Sequence, residues 1–271
     1  MAELIRAEGL TEAWLAAAEY LYDQPKQECV SLFLSINKPT ALSEADKAVM
    51  KIVEDFQLAH DRQPLDTVAD TIFPKSHYKS GGLKGVMEDY PNAMDEILSA
   101  GRGDLRGSWG TYALRMLRQK MADGTYVNQL ERTFHKLAID NKKACFELSA
   151  GPLLVDASSP ENVVEMTTYD IESDKSKQMG MACLSHLSFT RESPGGKLHL
   201  NATYRSHYYI ERALGNLIGL AGLLAFVAEE SGHEIGTLAI NSTFAKLETG
   251  EFGGKTVVEG LLKEARTLYD A

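Results

Sequence analysis

The segment 215–227, GNLIGLAGLLAFV, is apolar on nearly every face. A helix that is apolar all round has to be buried, either in the core of a large domain or in a membrane. The segment is shorter than the roughly 20 residues that a membrane span requires, so it predicts a core helix. The chain of 271 residues is long enough to surround such a helix, and no flexible linker divides it. We therefore expect one domain over residues 1–271.

Hydrophobic periodicity divides the rest of the chain into helices and strands. Helical spacing occurs in five segments, 10–21, 44–58, 128–141, 216–230 and 258–269. Strand alternation occurs in five others, 29–37, 144–148, 184–190, 197–204 and 236–245. The polar segment 154–174 predicts a long loop. This pattern predicts an α+β fold in which helices wrap a sheet.

Charge and cysteine content exclude several classes of partner. The formal net charge is −10 and no basic tract is present, which argues against a nucleic acid polymer as a partner. Three cysteines, no signal peptide and no membrane-length apolar run predict a reduced, cytoplasmic protein without membrane contact. A small anionic ligand held by local positive charge remains compatible with this composition.

One stretch carries the residues of greatest chemical interest. Cys183 begins a predicted strand, and a second strand after a Pro-Gly-Gly turn ends at the pair Arg205 and Ser206. Asn216 follows eleven positions after Arg205, at the start of the apolar helix. This order resembles the thymidylate synthase and deoxycytidylate hydroxymethylase superfamily, in which a thiolate adds to carbon 6 of a pyrimidine nucleotide.

The resemblance implies a role for each of these residues. Cys183 would be the nucleophile, although its Pro-Cys-His-type motif is here Ala182-Cys183-Leu184. Arg205 and Ser206 would bind the phosphate, and Asn216 would read the edge of the base. The family's Arg-Arg pair, which reaches the phosphate of the partner subunit, is similar to Lys142 and Lys143 in this chain.

Two further positions extend the resemblance toward the N-terminus, leaving 1–60 divergent. Gly107-Ser108-Trp109-Gly110 looks like the family's Gly-x-x-Tyr-Gly segment, so Trp109 would line the active site. Asp70 lies where the family has a helical glutamate that drives proton transfer through water. The resemblance also implies a sheet-to-sheet homodimer, with Lys142 and Lys143 acting on the partner's site.

Three positions depart from the family pattern. Tyr208 replaces the aspartate that binds the pterin ring, which argues against the family's cofactor, 5,10-methylenetetrahydrofolate. Lys246 and Glu248 replace the His-x-Tyr pair that holds the sugar hydroxyls. The usual C-terminal lid over the folate is not recognisable in 266–271.

The matching residues nevertheless form a consistent chemical set. A thiolate can add to carbon 6 and leave again near neutral pH, which activates carbon 5. A thiol has an ordinary pKa of about 8.5, so Cys183 would need a neighbouring cation, for which Arg205 is the candidate. Arg205, Ser206 and the two lysines supply donors for a phosphate. The amide of Asn216 suits uracil and cytosine equally.

Each of these residues also has a structural interpretation. Cys183 could be a small core residue, as we expect for Cys29 and Cys145. Arg205 could form a surface ion pair, Asn216 could cap the helix, and Asp70 could lie on a solvated helix face. In both interpretations the side chain of Trp109 is expected to be buried, and it is not expected to be a catalytic group.

Other catalytic classes find no support in the chain. No nucleotide-binding glycine motif or hydrolase Gly-x-Ser-x-Gly occurs, and the seven histidines lack the spacing of a metal site. The sequence predicts a one-carbon transferase that attaches a hydroxymethyl or methyl group to carbon 5 of a pyrimidine nucleotide. The alternatives are a non-catalytic nucleotide-binding protein and a folate-independent enzyme acting on another nucleotide-like substrate.

Overall fold

The architecture is described from a computed structural model, which covers residues 2–100, 110–121, 123–138, 163–168, 182–192 and 195–271. Within these residues lie one large sheet, a two-stranded ribbon and the surrounding helices. The strands are β1 Glu3–Ala7, β2 Glu28–Ile36, β3 Gln119–Lys120, β4 Tyr126–Val127, β5 Val163–Thr167, β6 Leu184–Arg191, β7 Lys197–Tyr204, β8 His207–Tyr208 and β9 Glu234–Lys246.

Seven helices in the described part have ten or more residues, and two have six. The helices are α1 Leu10–Asp23, α2 Glu44–Ala59, α3 Leu65–Asp70, α4 Lys75–Lys84, α5 Tyr90–Ser99, α6 Tyr112–Leu117, α7 Gln129–Ala138, α8 Leu214–Ser231 and α9 Lys255–Tyr269. Two π-helical turns, Gly85–Asp89 and Tyr209–Ala213, precede α5 and α8.

The large sheet has seven strands. Six of them follow the order β1-β2-β9-β7-β6-β5, and the seventh, β8, pairs with β9. β1 and β2, β7 and β9, and β8 and β9 are parallel, while the remaining pairs are antiparallel. The sheet is therefore mixed, and the predicted α+β class is confirmed. The divergent N-terminal part supplies β1 and β2, so it belongs to the same sheet as the candidate site.

The apolar helix α8 lies in the core, as predicted. Most of its residues are buried, and it packs against α3 and β9. With the preceding π-helical turn it forms one helix of 23 residues, Tyr209–Ser231, which in length and composition would suit a membrane span; 72% of the most apolar window is buried inside the protein. The expectation that this helix is too short to span a membrane was wrong, because the π-helical turn adds residues to it. The expectation that it is a core helix is confirmed by its burial.

The polar segment 154–174 is not a loop throughout. β5 lies inside it and pairs with β6, and Met166 of β5 is 1% exposed. Sequence periodicity missed β5 because only five residues form the strand. Cys183 also differs from expectation, since it directly precedes β6 instead of lying within a strand.

Candidate functional site

Cys183 is held at the point where β6 begins and β7 ends. Its backbone N–H donates to the Tyr112 hydroxyl at 3.2 Å, and its carbonyl oxygen accepts from the backbone N–H of Arg205 at 2.9 Å. The side chain is half-buried and packs against the core. Cys183 is a thiol, as is the buried Cys29 of β2, whose expected packing role agrees with its burial.

Arg205 is anchored beside the thiol by hydrogen bonds to the backbone. Nε and Nη2 of its exposed guanidinium donate to the carbonyl oxygen of Ala182 at 3.2 and 2.9 Å. Among the described residues Arg205 has no ion-pair partner, so the surface ion pair is not its role there. Ser206 follows in the bend between β7 and β8 and is half-buried.

Two opposing effects act on the Cys183 thiol. Burial raises its pKa, whereas the positive charges of Arg205 and Arg212 lower it, and burial has the larger effect. The expected influence of Arg205 is therefore present, but the pKa of Cys183 remains above its ordinary value. A thiolate at this position requires more positive charge or more polar surroundings than these two groups supply.

Arg212 is a second cation that sequence reasoning missed. It lies in the π-helical turn before α8, four positions before Asn216, which is one helical turn away. That spacing was the available signal, because side chains four apart on a helix share a face. Its Nη2 also pairs with the Glu211 carboxylate at 2.7 Å.

The π-helical turn that carries Arg212 is fixed from three sides. Trp14 donates from Nε1 to the carbonyl oxygen of Tyr209 at 2.8 Å, and Gln57 donates from Nε2 to that of Ile210 at 2.5 Å. The Glu248 carboxylate accepts from the backbone N–H groups of Ile210 and Glu211 at 3.0 and 3.1 Å. π-Helical turns inside helices frequently occur at functional sites. This one is held by side chains from α1, α2 and the segment after β9.

Glu248 is consequently a structural acceptor. It is 2% exposed, and burial raises its pKa to about 7. Lys246 pairs with Glu28 at 3.4 Å. Both residues of the replaced sugar clamp therefore have partners within the protein.

Asn216 lies inside α8 and is 5% exposed. The helix begins before it, at Leu214, so the interpretation of Asn216 as a helix cap is wrong. Its Nδ2 lies 3.2 Å from Nε2 of His207, and Nδ1 of His207 lies 2.9 Å from Oγ of Ser242. Sequence reasoning missed the contact of His207 with the amide and that of Ser242 with His207, because nine and 35 positions of chain separate the two pairs of partners.

Tyr204 connects the thiol to this polar cluster. Its ring stacks on that of His207, with centroids 4.1 Å apart and an interplanar angle of 2°. Its hydroxyl is buried and has no hydrogen-bond partner in the described part of the chain. Cys183 and Tyr112 are close enough to Tyr204 for their charges to raise its pKa, although burial is the main cause. Thiol, aromatic ring, imidazole and amide thus form one continuous wall.

Asp70 lies apart from this wall. It ends α3, is half-buried, and accepts from the backbone N–H of Lys75 at 3.3 Å. Burial raises its pKa. It lines a cavity of about 410 Å³ beside α8, with Phe73 and Tyr78, and Cys183 does not line this cavity. The next residue, Thr71, accepts a hydrogen bond from the backbone N–H of Ala113 in α6. Asp70 is therefore linked to the segment beside Cys183 indirectly, through its neighbour in the chain.

Three predicted site residues, Trp109, Lys142 and Lys143, lie outside the described residues, as does Cys145. Within the described ranges no group of three His, Cys, Asp or Glu side chains is arranged to hold a metal ion. No protein-family model matches the chain, and no curated protein matches it in sequence.

Proposed function

We propose that the protein is a divergent pyrimidine-nucleotide one-carbon transferase with a thymidylate synthase-like fold. The observation that carries the proposal is the contact of Cys183 with Arg205 at one end of the β6–β7 pair, which Tyr204 and His207 link to Asn216. A nucleophile, a guanidinium and an amide are the three groups needed to activate, anchor and read a pyrimidine nucleotide.

The thiol supplies the activation step in this proposal. The Cys183 thiolate adds to carbon 6, which places electron density on carbon 5, and carbon 5 then attacks a one-carbon donor at the oxidation level of formaldehyde and takes its carbon while the carrier leaves. Loss of the carbon 5 proton and departure of the thiolate restore the double bond. Arg205 and Arg212 lie near the thiol, so both are candidates to bind the phosphate with Ser206 and to favour the thiolate.

The cofactor 5,10-methylenetetrahydrofolate fits this chain poorly. The position of the pterin-binding aspartate carries Tyr208, which is 39% exposed and offers a phenol instead of a carboxylate. We therefore assign no step to folate. A hydroxymethyl product is the more economical outcome, because water can capture the carbon 5 adduct without hydride delivery from a pterin.

A homodimer packed sheet to sheet is also proposed. One row across the sheet pairs Leu4, Phe33, Asn241, Thr203 and His186 in register, so these side chains share a face. All five are exposed or half-buried, whereas the neighbouring positions on the opposite face are largely buried. An apolar patch at Leu4 and Phe33 beside polar residues suits contact with a second copy.

One observation favours the non-catalytic alternative. Burial outweighs two positive charges at Cys183 and keeps its pKa raised, which disfavours the nucleophilic form. A nucleotide-binding protein would use Arg205 and Asn216 without requiring the thiolate. A folate-independent enzyme would instead need the thiol but no pterin.

The test is a product assay by mass spectrometry. We would incubate the protein with pyrimidine mono-, di- and triphosphates and with either 5,10-methylenetetrahydrofolate or formaldehyde as the carbon donor, and look for added hydroxymethyl or methyl mass. Cys183→Ser should abolish the product, while the matched variant Cys29→Ser should retain it. A product without folate would support the folate-independent enzyme. No product, together with nucleotide binding that Arg205→Ala abolishes, would support the binding protein.

A further inference from the structure

The cavity beside α8 is separate from the wall that carries Cys183. Its volume of about 410 Å³ lies in the range of small-molecule binding sites in proteins. Among the described residues, α3, α4 and α8 supply much of its lining, and the segment before α2 supplies Pro39, Thr40 and Leu42. Most of the described residues that line it are apolar, so a molecule that fills the cavity needs an apolar body.

Three aromatic rings that line the cavity contact one another, and we call them the aromatic cluster. The ring centroid of Phe73 lies 5.8 Å from that of Tyr78 and 5.2 Å from that of Phe226, and the last two are 4.9 Å apart. Phe73 packs directly on α8, because a Cβ atom on Gly222 would lie 2.9 Å from its Cδ1. Aromatic rings held in this way can attract a cation, since the face of each ring carries partial negative charge.

Two carboxylates line the same cavity. Asp66 and Asp70 are four positions apart in α3, so they share a face of that helix. Asp70 is half-buried, and it accepts from the backbone N–H of Lys75 but has no ion-pair partner in the described part of the chain. Burial raises the pKa of Asp70, and the negative charge of Asp66 adds to that effect. A cation in the cavity would compensate both carboxylates.

The other charges at the cavity do not favour an anion. Lys75 and Lys79 also line it, but both are exposed, so their ammonium groups can remain in water. Glu229 is a third carboxylate in the lining. The formal net charge of −10 opposes an anion at longer range as well. The half-buried charge that a ligand has to match is therefore negative.

We propose that this cavity binds an organic cation, an amine or quaternary ammonium group joined to an apolar body. The cationic head would lie between the carboxylates of Asp66 and Asp70 and the aromatic cluster, and the apolar body would fill the space along α8. The site is independent of the proposed nucleotide chemistry, because neither Cys183 nor Asn216 lines the cavity.

The test compares three small probes that share a benzene ring and differ in charge. Benzyltrimethylammonium is the cation, benzyl alcohol is the neutral probe and phenylacetate is the anion. The Kd of each is measured by ligand-observed NMR titration of the wild-type protein. We expect the cation to bind at least about fivefold more tightly than the alcohol, and the anion to bind more weakly than either.

Two variants locate the bound cation. Asp70→Asn keeps the shape of the side chain and removes its charge, so it should raise the Kd of benzyltrimethylammonium about fivefold or more and leave that of benzyl alcohol nearly unchanged. Ala225→Leu places a larger side chain in the cavity and should abolish binding of both probes. Asp55→Asn removes one negative charge from the exposed Lys51–Asp55 pair and, as the matched control, should leave both Kd values unchanged. Thermal unfolding shows whether each variant is folded.

Several results would overturn the inference. These are no binding of benzyltrimethylammonium, equal binding of the cation and the alcohol, tighter binding of phenylacetate, or an unchanged Kd of the cation in Asp70→Asn. Binding that persists in folded Ala225→Leu would place the probe elsewhere on the protein and would also contradict it. If Ala225→Leu does not fold, Asp70→Asn and the order of the three probes still decide. Failure of the nucleotide assay has no bearing on these measurements, because no nucleotide is used in them.

Discussion

The reactivity of Cys183 depends on a balance between burial and two positive charges. The thiol is half-buried, which disfavours the anion, and Arg205 and Arg212 favour it. Arg205 is held in place by its hydrogen bonds to Ala182, so its charge cannot move away from the thiol without breaking them. Removing either positive charge should therefore raise the pKa of Cys183 further.

We expect Arg205→Met to slow alkylation of Cys183 by iodoacetamide at pH 8 by about threefold or more, because the reactive species is the thiolate. Arg212→Met should act in the same direction. The measurement is the rate of modification of the peptide containing Cys183, followed by mass spectrometry between pH 7 and 10. Lys51→Met, which removes a charge from the exposed Lys51–Asp55 pair, is the matched control. An unchanged rate in Arg205→Met would show that its charge does not influence the thiol.

Glu248 should make the stability of the protein depend on pH. Its pKa is raised from 4.5 to about 7, so the folded state holds the proton more tightly than the unfolded state. The stability that this group contributes is therefore fully present below pH 4.5 and is lost as the pH rises through 7, by about 3 kcal/mol in all.

The corresponding measurement is urea unfolding of the wild type and Glu248→Gln at several values between pH 5 and 8.5. The variant cannot titrate at this position, so its free energy of unfolding should fall less over that range. Its absolute stability should be lower at pH 5, because an amide group replaces one of the acceptors of the Ile210 and Glu211 N–H groups. Parallel pH profiles for the two proteins would contradict the assignment.

At the scale of elements, the contact between α3 and α8 depends on glycine. A Cβ atom on Gly215 would lie 2.6 Å from Cβ of Val68, and one on Gly219 would lie 2.6 Å from the carbonyl oxygen of Ala69. Such distances are too short for any side chain, so the two helices approach as closely as they do only because these positions lack one.

We expect Gly219→Ala to destabilise the protein by about 1–3 kcal/mol, because the helices must separate to admit the methyl group. Gly260→Ala in α9 is the matched substitution, since nothing lies within 4 Å of its added Cβ. There the gain in helix propensity should stabilise the protein by up to about 1 kcal/mol. Thermal unfolding of the two variants compares the effects, and equal changes would argue against the close helix contact.

At the scale of the whole molecule, the uncovered sheet face should determine the oligomeric state. We expect sedimentation velocity to show a dimer, and Phe33→Asp to produce a folded monomer, because a carboxylate at the centre of an interface loses its hydration. Leu58→Asp changes an exposed residue of α2 in the same way and should remain dimeric. A monomeric wild type, or a dimeric Phe33→Asp variant, would exclude the proposed sheet-to-sheet contact.

The strongest sequence patterns predicted their elements well. β7 has the predicted bounds, and α2 begins at the predicted residue, Glu44, behind a capping box between Ser43 and Asp46. The shorter elements β1, β5, α3 and α6 were missed, because five or six residues contain too few periods for a pattern to emerge. The candidate residues Cys183, Arg205 and Asn216 were named from the sequence, whereas Arg212 became visible only through its contacts.

The sequence alone determined the α+β class and the burial of the apolar helix, because hydrophobic periodicity and the need to bury apolar surface act along the chain. It also indicated which side chains bear chemical functions. Only the tertiary structure decided the ionisation and the hydrogen-bond partners of these side chains. The raised pKa of Cys183, the commitment of Glu248 to backbone N–H groups and the contact of His207 with Ser242 all arise from atoms that are distant in the chain. Burial and hydrogen bonding depend on those neighbours, and no local pattern records them.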